Sequence, residues 1–121
     1  VGWYMLGARQ GLADAEFHLG SMYYYGRGVA QDYETAAEWY ILAAEGGHVD
    51  AQTILGGMYI LGEGIIQNDI YAHMWMSIAA SNGSEKVKKM IDSLSTRMTP
   101  ADISTAQNLA RECVRKKYKG C

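Results

Sequence analysis

Shifted by 36 positions against itself, the 121-residue chain matches its own sequence. Of the 35 gapless pairs from Ala13/Val49 to Gly47/Gly83, 14 are identical, among them Leu19-Gly20 with Leu55-Gly56, Trp39 with Trp75 and Ala43-Ala44 with Ala79-Ala80. Shared composition does not produce that agreement. A period of this length marks a small unit that cannot bury its apolar face alone and is stable only when neighbours stack on it. A partial copy comes first, since Trp3-Tyr4, Leu6, Ala8 and Gly11 lie 36 residues before Trp39-Tyr40, Leu42, Ala44 and Gly47. The expected division is a trailing half-unit at 1–11, repeats at 12–47 and 48–83, and a closing helix pair at 84–121. Either the natural start uses a half-unit as a cap or, the reading favoured, the chain is cut from a longer array, and the apolar face around Val1 to Leu6 then belongs against a helix of a preceding unit.

Within a unit the pattern is that of two helices. Ala15, Leu19, Met22 and Tyr23 recur at spacings of three and four, one face of an α-helix. Gly20 on that face lets a second helix come close. Gly26-Arg27-Gly28 ends the first helix, glycine being the residue that takes the left-handed conformation at least cost. Asp32, and Asn68 in the next unit, are placed to cap the second helix. Its stripe is Ala36, Trp39, Tyr40, Ala43 and Ala44, and Gly46-Gly47 closes the unit. Beyond Gly83 the pattern stops. Ser84 is expected to cap a helix to about Met98, with Val87, Ile91 and Leu94 on its apolar side and Lys86, Lys88 and Lys89 largely in solvent. Thr99-Pro100-Ala101-Asp102 is a strong start for another helix, which carries Ile103, Ala106, Leu109, Ala110 and Cys113.

The run Leu19-Gly20…Tyr23…Gly26-Arg27-Gly28-Val29…Asp32…Ala36…Trp39-Tyr40…Ala43-Ala44…Gly47 resembles the Sel-1-like repeat, a relative of the tetratricopeptide repeat. The second copy departs at Ile65, Asn68 and Met76. A Met-Thr-Pro…Ala-Gln…Leu-Ala-Arg tail, here Met98 to Arg111, is similar to the end of many bacterial members. The resemblance implies an all-α fold, a right-handed superhelix of antiparallel helix pairs, with the first helix of each pair lining the concave surface. It also implies an adaptor or scaffold that binds a protein or peptide there. Carried across residue by residue, the groove positions are Asp14, Phe17, Ser21, Tyr24 and Tyr25, then Asp50, Thr53, Gly57, Ile60 and Leu61. Phe17, Tyr24 and Tyr25 are aromatic where solvent would favour polar residues, as binding anchors are. The other reading is that the C-terminal tail or a neighbouring molecule fills the groove.

Cys113 and Cys121 would stand about 12 Å apart on an unbroken helix, too far for a disulfide. A bond requires the helix to end near Lys117 and Lys119-Gly120 to turn the chain back. The pair reads as a local clasp that ties down the terminus, formed in an oxidising compartment such as the periplasm or outside the cell. The other reading is a buried thiol at Cys113 and an exposed one at Cys121, which would allow the cytoplasm.

The net charge of -2 gives no electrostatic reason to bind nucleic acid. No apolar run approaches the roughly 20 residues that span a bilayer. His18, His48 and His73 fall at unrelated places, no His or Cys pair has metal-ligand spacing, and no cofactor motif is present. Gly26-Arg27-Gly28 and Gly62-Glu63-Gly64 lack the context of phosphate loops and read as turns. The chain is therefore read as non-catalytic. Two alternatives remain: a hydrolase acting on cell-wall or peptide material through Asp14, Asp50, Glu16 and His18, or a purely structural segment of a longer array.

Overall fold

The structure, a computed structural model, describes residues 2–121, with side chains from residue 12 onward. Six helices follow one another: α1 (Gly2–Tyr25), α2 (Tyr33–Glu45), α3 (Val49–Leu61), α4 (Asp69–Ser81), α5 (Lys86–Ser95) and α6 (Pro100–Arg115). Among the described residues there is no strand, so the chain is an all-α helical repeat. None of these helices is long and apolar enough to cross a membrane.

The punctuation is local chemistry. The Asp32 carboxylate accepts the N–H groups of Glu34 and Thr35 at 3.1 and 3.3 Å, and Asn68 accepts that of Tyr71 at 3.0 Å. Thr99 caps α6 through Asp102 N–H, with Pro100 at the first helical position. Gly62 closes α3 in the left-handed conformation, its N–H 2.7 Å from the Met58 carbonyl.

α1 pairs with α2, and α3 with α4, at very short range. A Cβ on Gly20 would sit 2.9 Å from Tyr40 Cδ1, and one on Gly56 would sit 2.8 Å from Met76 Cγ. The facing helices supply Ala36, Ala43, Ala44, Ala72 and Ala79, all fully buried. Small side chains thus bring the helix pairs close enough for Tyr40, Leu55, Met58 and Trp75 to fill the core.

α1 runs unbroken from Gly2 to Tyr25, so no break in the helix accompanies the expected step from the half-unit at 1–11 to the repeat at 12–47. In the second unit His48 caps the new helix by accepting the Ala51 N–H at 3.2 Å. Leu12 holds the corresponding place and has no group to accept with. The Val1–Leu6 side chains, and whatever face they form, lie outside the described residues. The same stripe has a different fate in the two units. Ala51, Leu55 and Met58 are buried, whereas Ala15 is exposed, Leu19 half-buried and Met22 37% exposed. α3 has α2 on its near side, and α1 has no helix there among the described residues.

The closing segment differs from a hairpin. α5 and α6 both pack on α4 and hardly touch each other. α5 spends its apolar side, Val87 and Leu94, on Ala72, Met76 and Ala79, which leaves a lysine-rich outer face with nothing for α6 to cover. α6 instead adds Ala110 and Cys113 to the main core. Ser84 does not cap α5. Its N–H closes the end of α4 on the Ala79 carbonyl at 3.1 Å, and the cap position falls to Glu85, which makes no capping bond. Arg97 then ties the end of α5 to the start of α4, donating to both Asp69 oxygens at 3.1 and 2.6 Å.

Cys113 and Cys121 are bonded, with Cα atoms 5.6 Å apart. α6 ends at Arg115, and the chain turns through Lys117, Tyr118 and Gly120, all at positive φ. The clasp does more than hold the terminus. It presses the Tyr118 ring toward Gly47, brings its hydroxyl within 3.2 Å of Asn82 Nδ2, and lets Gly120 N–H donate to Glu45 at 3.1 Å. The tail therefore reaches both repeat units.

Two outcomes test this packing. Gly56→Ala should lower stability by about 1–3 kcal/mol through overpacking against Met76, while Gly57→Ala, whose Cβ meets nothing within 4 Å, should raise it by up to about 1 kcal/mol. Replacing Cys113 and Cys121 by serine should cost about 2.5 kcal/mol in urea unfolding, the closure entropy of a loop this size.

Candidate functional site

A groove of about 680 Å³ opens where the two repeat units meet α5. Phe17 of α1 and Val49, Asp50, Thr53 and Ile54 of α3 form one side. The chain from Asn82 to Lys86 forms the other.

The wall from α1 is held by an aromatic stack. Phe17 lies flat against His48, with ring centroids 4.3 Å apart and planes 16° apart, and leans on Tyr40 at 5.7 Å. His48 is fixed at both nitrogens. Nδ1 accepts the Ala51 N–H, which leaves Nε2 to carry the ring proton, and Nε2 lies 3.2 Å from Asp14 Oδ1. Capping, stacking and a carboxylate contact thus meet in one side chain at the junction between units. Thr53 donates its hydroxyl to the Val49 carbonyl at 3.1 Å, which fixes its rotamer at the groove edge.

At the C-terminal end of α1 a second aromatic group forms. Tyr24 is half-buried and donates to Glu63 Oε1 at 2.8 Å, with Tyr25 edge-on at 4.9 Å and Tyr33 at 5.0 Å. Burial first, and then the bond to Glu63, push its phenol well above the usual tyrosine range. Tyr25 is 56% exposed, with the Arg27 guanidinium 5.2 Å from its ring. The turn glycines of the second unit therefore also place Glu63 as a partner for the first.

The ten groove positions do not form one surface. Phe17, Asp50 and Thr53 line the groove, and Asp14 marks its His48 edge. Ser21 turns to Tyr40, with its oxygen 2.9 Å from the Tyr40 hydroxyl, and Tyr24 is occupied by Glu63. Gly57 faces open space, and Tyr25 and Leu61 are exposed at the helix ends. Ile60 belongs to a second groove of about 540 Å³ against α5, floored by Met90 and Leu94 and edged by Lys89 and Arg97.

α5 is the part that the repeat pattern alone leaves out, although the signal is present. Carried 36 residues further, Ala51, Leu55 and Met58 fall on Val87, Ile91 and Leu94, so α5 keeps the register of a third first helix. Asp14 and Asp50 fall on Lys86, Phe17 and Thr53 on Lys89, and Tyr25 and Leu61 on Arg97. The lining changes from acidic and aromatic to basic along the stack.

The groups offered for a hydrolase are dispersed. Glu16 lies two residues from Asp14, on the opposite side of α1, in another cavity. Asp14 is taken up with His48, and exposed His18 sits beside Phe17 with centroids 6.0 Å apart. Among the described residues no group of three or more His, Cys, Asp or Glu side chains could hold a metal ion.

Paired helices in register, a glycine-alanine seam and a groove lined by the first helices define a helical-repeat protein. The Sel1 repeat model matches residues 13–48 and 49–84, and the chain belongs to that family, whose members generally serve protein–protein interaction. Two solved structures are similar. One is c5321, a protective antigen of uropathogenic Escherichia coli strains displaying an SLR fold, at 26% identity and a TM-score of 0.83 over 97% of this chain. The other is a Sel1 repeat protein from Oxalobacter formigenes, at 30% identity and a TM-score of 0.67 over 93% of it. The chain spans 26% and 48% of those two proteins. No curated protein matches it.

His48→Ala should cost about 1–2 kcal/mol, as loss of a helix cap does, and His48→Asn should recover about half by restoring an acceptor without the stack. Faster hydrogen exchange at the Ala51 amide in the alanine variant alone would confirm the assignment.

Proposed function

We propose that this chain is a non-catalytic interaction module that holds a polypeptide segment of a partner protein in the groove between α1, α3 and the start of α5. The observation that carries this reading is the groove itself, about 680 Å³ and built jointly by two units and the third helix in register. Its lining mixes apolar side chains (Phe17, Val49, Ile54) with exposed polar ones (Asp50, Glu85, Lys86). That mixture suits a peptide, whose backbone needs hydrogen-bond partners while its side chains need apolar contact. Asp14, Phe17, Asp50 and Thr53 are the proposed contacts of the main groove. Ile60 is proposed as a contact in the second groove against α5, Tyr25, Gly57 and Leu61 as outlying contacts beyond the main groove, and Ser21 and Tyr24 as its support from within. The division into units at 12–47 and 48–83 follows the same reading. The Cys113–Cys121 bond favours an oxidising compartment, so we place the protein in the periplasm or outside the cell.

The test is site-directed photo-crosslinking in cells, with the crosslinker at Thr53 or, as a control outside the groove, at exposed Val114. A discrete adduct is expected from Thr53, absent from Val114, and lost when Asp50→Lys is added. The same adduct from both positions, or an adduct indifferent to Asp50→Lys, would rule out the groove as the binding surface.

A further inference from the structure

A separate cavity of about 450 Å³ lies between α1, the end of α2 and the C-terminal tail. Its apolar walls are Leu12 and Leu42, both partly open to solvent at 58% and 46%. Glu16 lines it and is only 8% exposed, yet its carboxylate makes no hydrogen bond or ion pair among the described residues. The repeat explains why it lacks a partner. Gln52 holds the same place in the next unit and is satisfied there: its amide donates to the Ala44 carbonyl at 3.1 Å and its oxygen accepts from Asn82 at 3.3 Å. Glu16 cannot donate, and the residue that corresponds to Asn82 is Gly46, which has no side chain. A second carboxylate, Glu45, lines the same cavity with one oxygen on Gly120 N–H. Lys117 and Lys119 stand at the mouth, both exposed, on the tail that the disulfide holds in place.

Glu16, a residue nine-tenths buried whose carboxylate opens to the cavity and is unpaired among the described residues, stands beside another carboxylate and between two leucines, an arrangement suited to a cation with an apolar body. We propose that this cavity binds a primary ammonium on an aliphatic stem, held between Glu16 and Glu45, with a carboxylate at the outer end of the stem facing Lys117 and Lys119. The ligand class is an ω-amino acid or the equivalent lysine-like end of a larger molecule. The ammonium supplies the donor that Gln52 carries within its own side chain, and the stem covers Leu12 and Leu42. Burial, and then the charge on Glu45, hold the Glu16 pKa above the usual carboxylate value; a bound cation reverses the second effect directly.

The probe is 6-aminohexanoate, followed by methyl NMR at Leu12 and Leu42, with hexanoate and hexanol as controls. At pH 7 the amino acid should shift both residues saturably and the controls should not. Glu16→Gln should weaken binding roughly ten-fold or more, the contribution of a charge-assisted contact. Affinity should also fall as pH drops through the Glu16 titration, because only the ionised carboxylate attracts the ammonium. The amide variant should fold at least as well as the parent at neutral pH. A raised carboxylate pKa means that the folded state disfavours the charge, so its removal relieves a cost. Leu42→Trp, at a partly exposed position, should block the cavity with Glu16 intact. Equal shifts from hexanoate, undiminished binding by Glu16→Gln, or no saturable shift with 6-aminohexanoate would each overturn the proposal.

Discussion

The seam of small residues between the two helices of a unit is the constraint on which the rest depends. Gly20 and Gly56 admit the facing helix to within van der Waals contact of the backbone, and any Cβ there would collide with Tyr40 or Met76. The alanines opposite are fully buried for the same reason. A glycine inside a helix costs about 1 kcal/mol relative to alanine. That cost is offset by close packing along the whole pair, and the resulting separation sets where α3 can lie against α2. It thereby sets the width of the groove, because Phe17 and Asp50 sit on first helices whose spacing the seams determine.

A second layer of order is polar and runs across units. Gln52, fully buried, links the Ala44 carbonyl to Asn82, and Asn82 meets the Tyr118 hydroxyl. A buried amide is tolerable only when its donors and acceptors are paired, so this chain fixes the register of α3 against the ends of α2 and α4. The disulfide contributes in two ways. It removes the closure entropy of a short loop from the unfolded chain, and the closed loop is what presents Tyr118 to the junction.

Much of the fold was legible because its determinants are local. The Asp32, Asn68 and Thr99 caps, the Gly62 terminus and the close approach at Gly20 each depend on residues within a few positions or on a periodic stripe. Helix rise alone sets the condition for a Cys113–Cys121 bond, that the helix end and the chain turn back, but does not decide whether the bond forms. What escaped depends on partners far along the chain. α1 continues through Gly11 because Leu12 offers no cap, a fact visible only once His48 is seen capping from the same place. The split of α5 and α6 over α4 is a competition between two apolar stripes for different cores, and no local signal weighs them. The lysines of α5 face solvent, as their place off its apolar side implies. Their position as the basic end of the groove face follows only from α5 keeping the repeat register.

The candidate anchors show the same limit from the side of function. An aromatic residue off the packing stripe suggests a docking side chain because solvent would otherwise select a polar one. Phe17 and Tyr24 satisfy that pattern, yet each already has an intramolecular reason to be aromatic. Phe17 braces the histidine that caps α3, and Tyr24 closes a three-ring group on Glu63. Truncating either would disturb the junction between units as well as any contact with a partner, so a loss of binding would not distinguish the two roles. Thr53 and Asp50 line the groove without contributing to the core. The physics of recognition is therefore best sought at these smaller side chains, with the aromatic residues acting as the frame that holds them at their spacing.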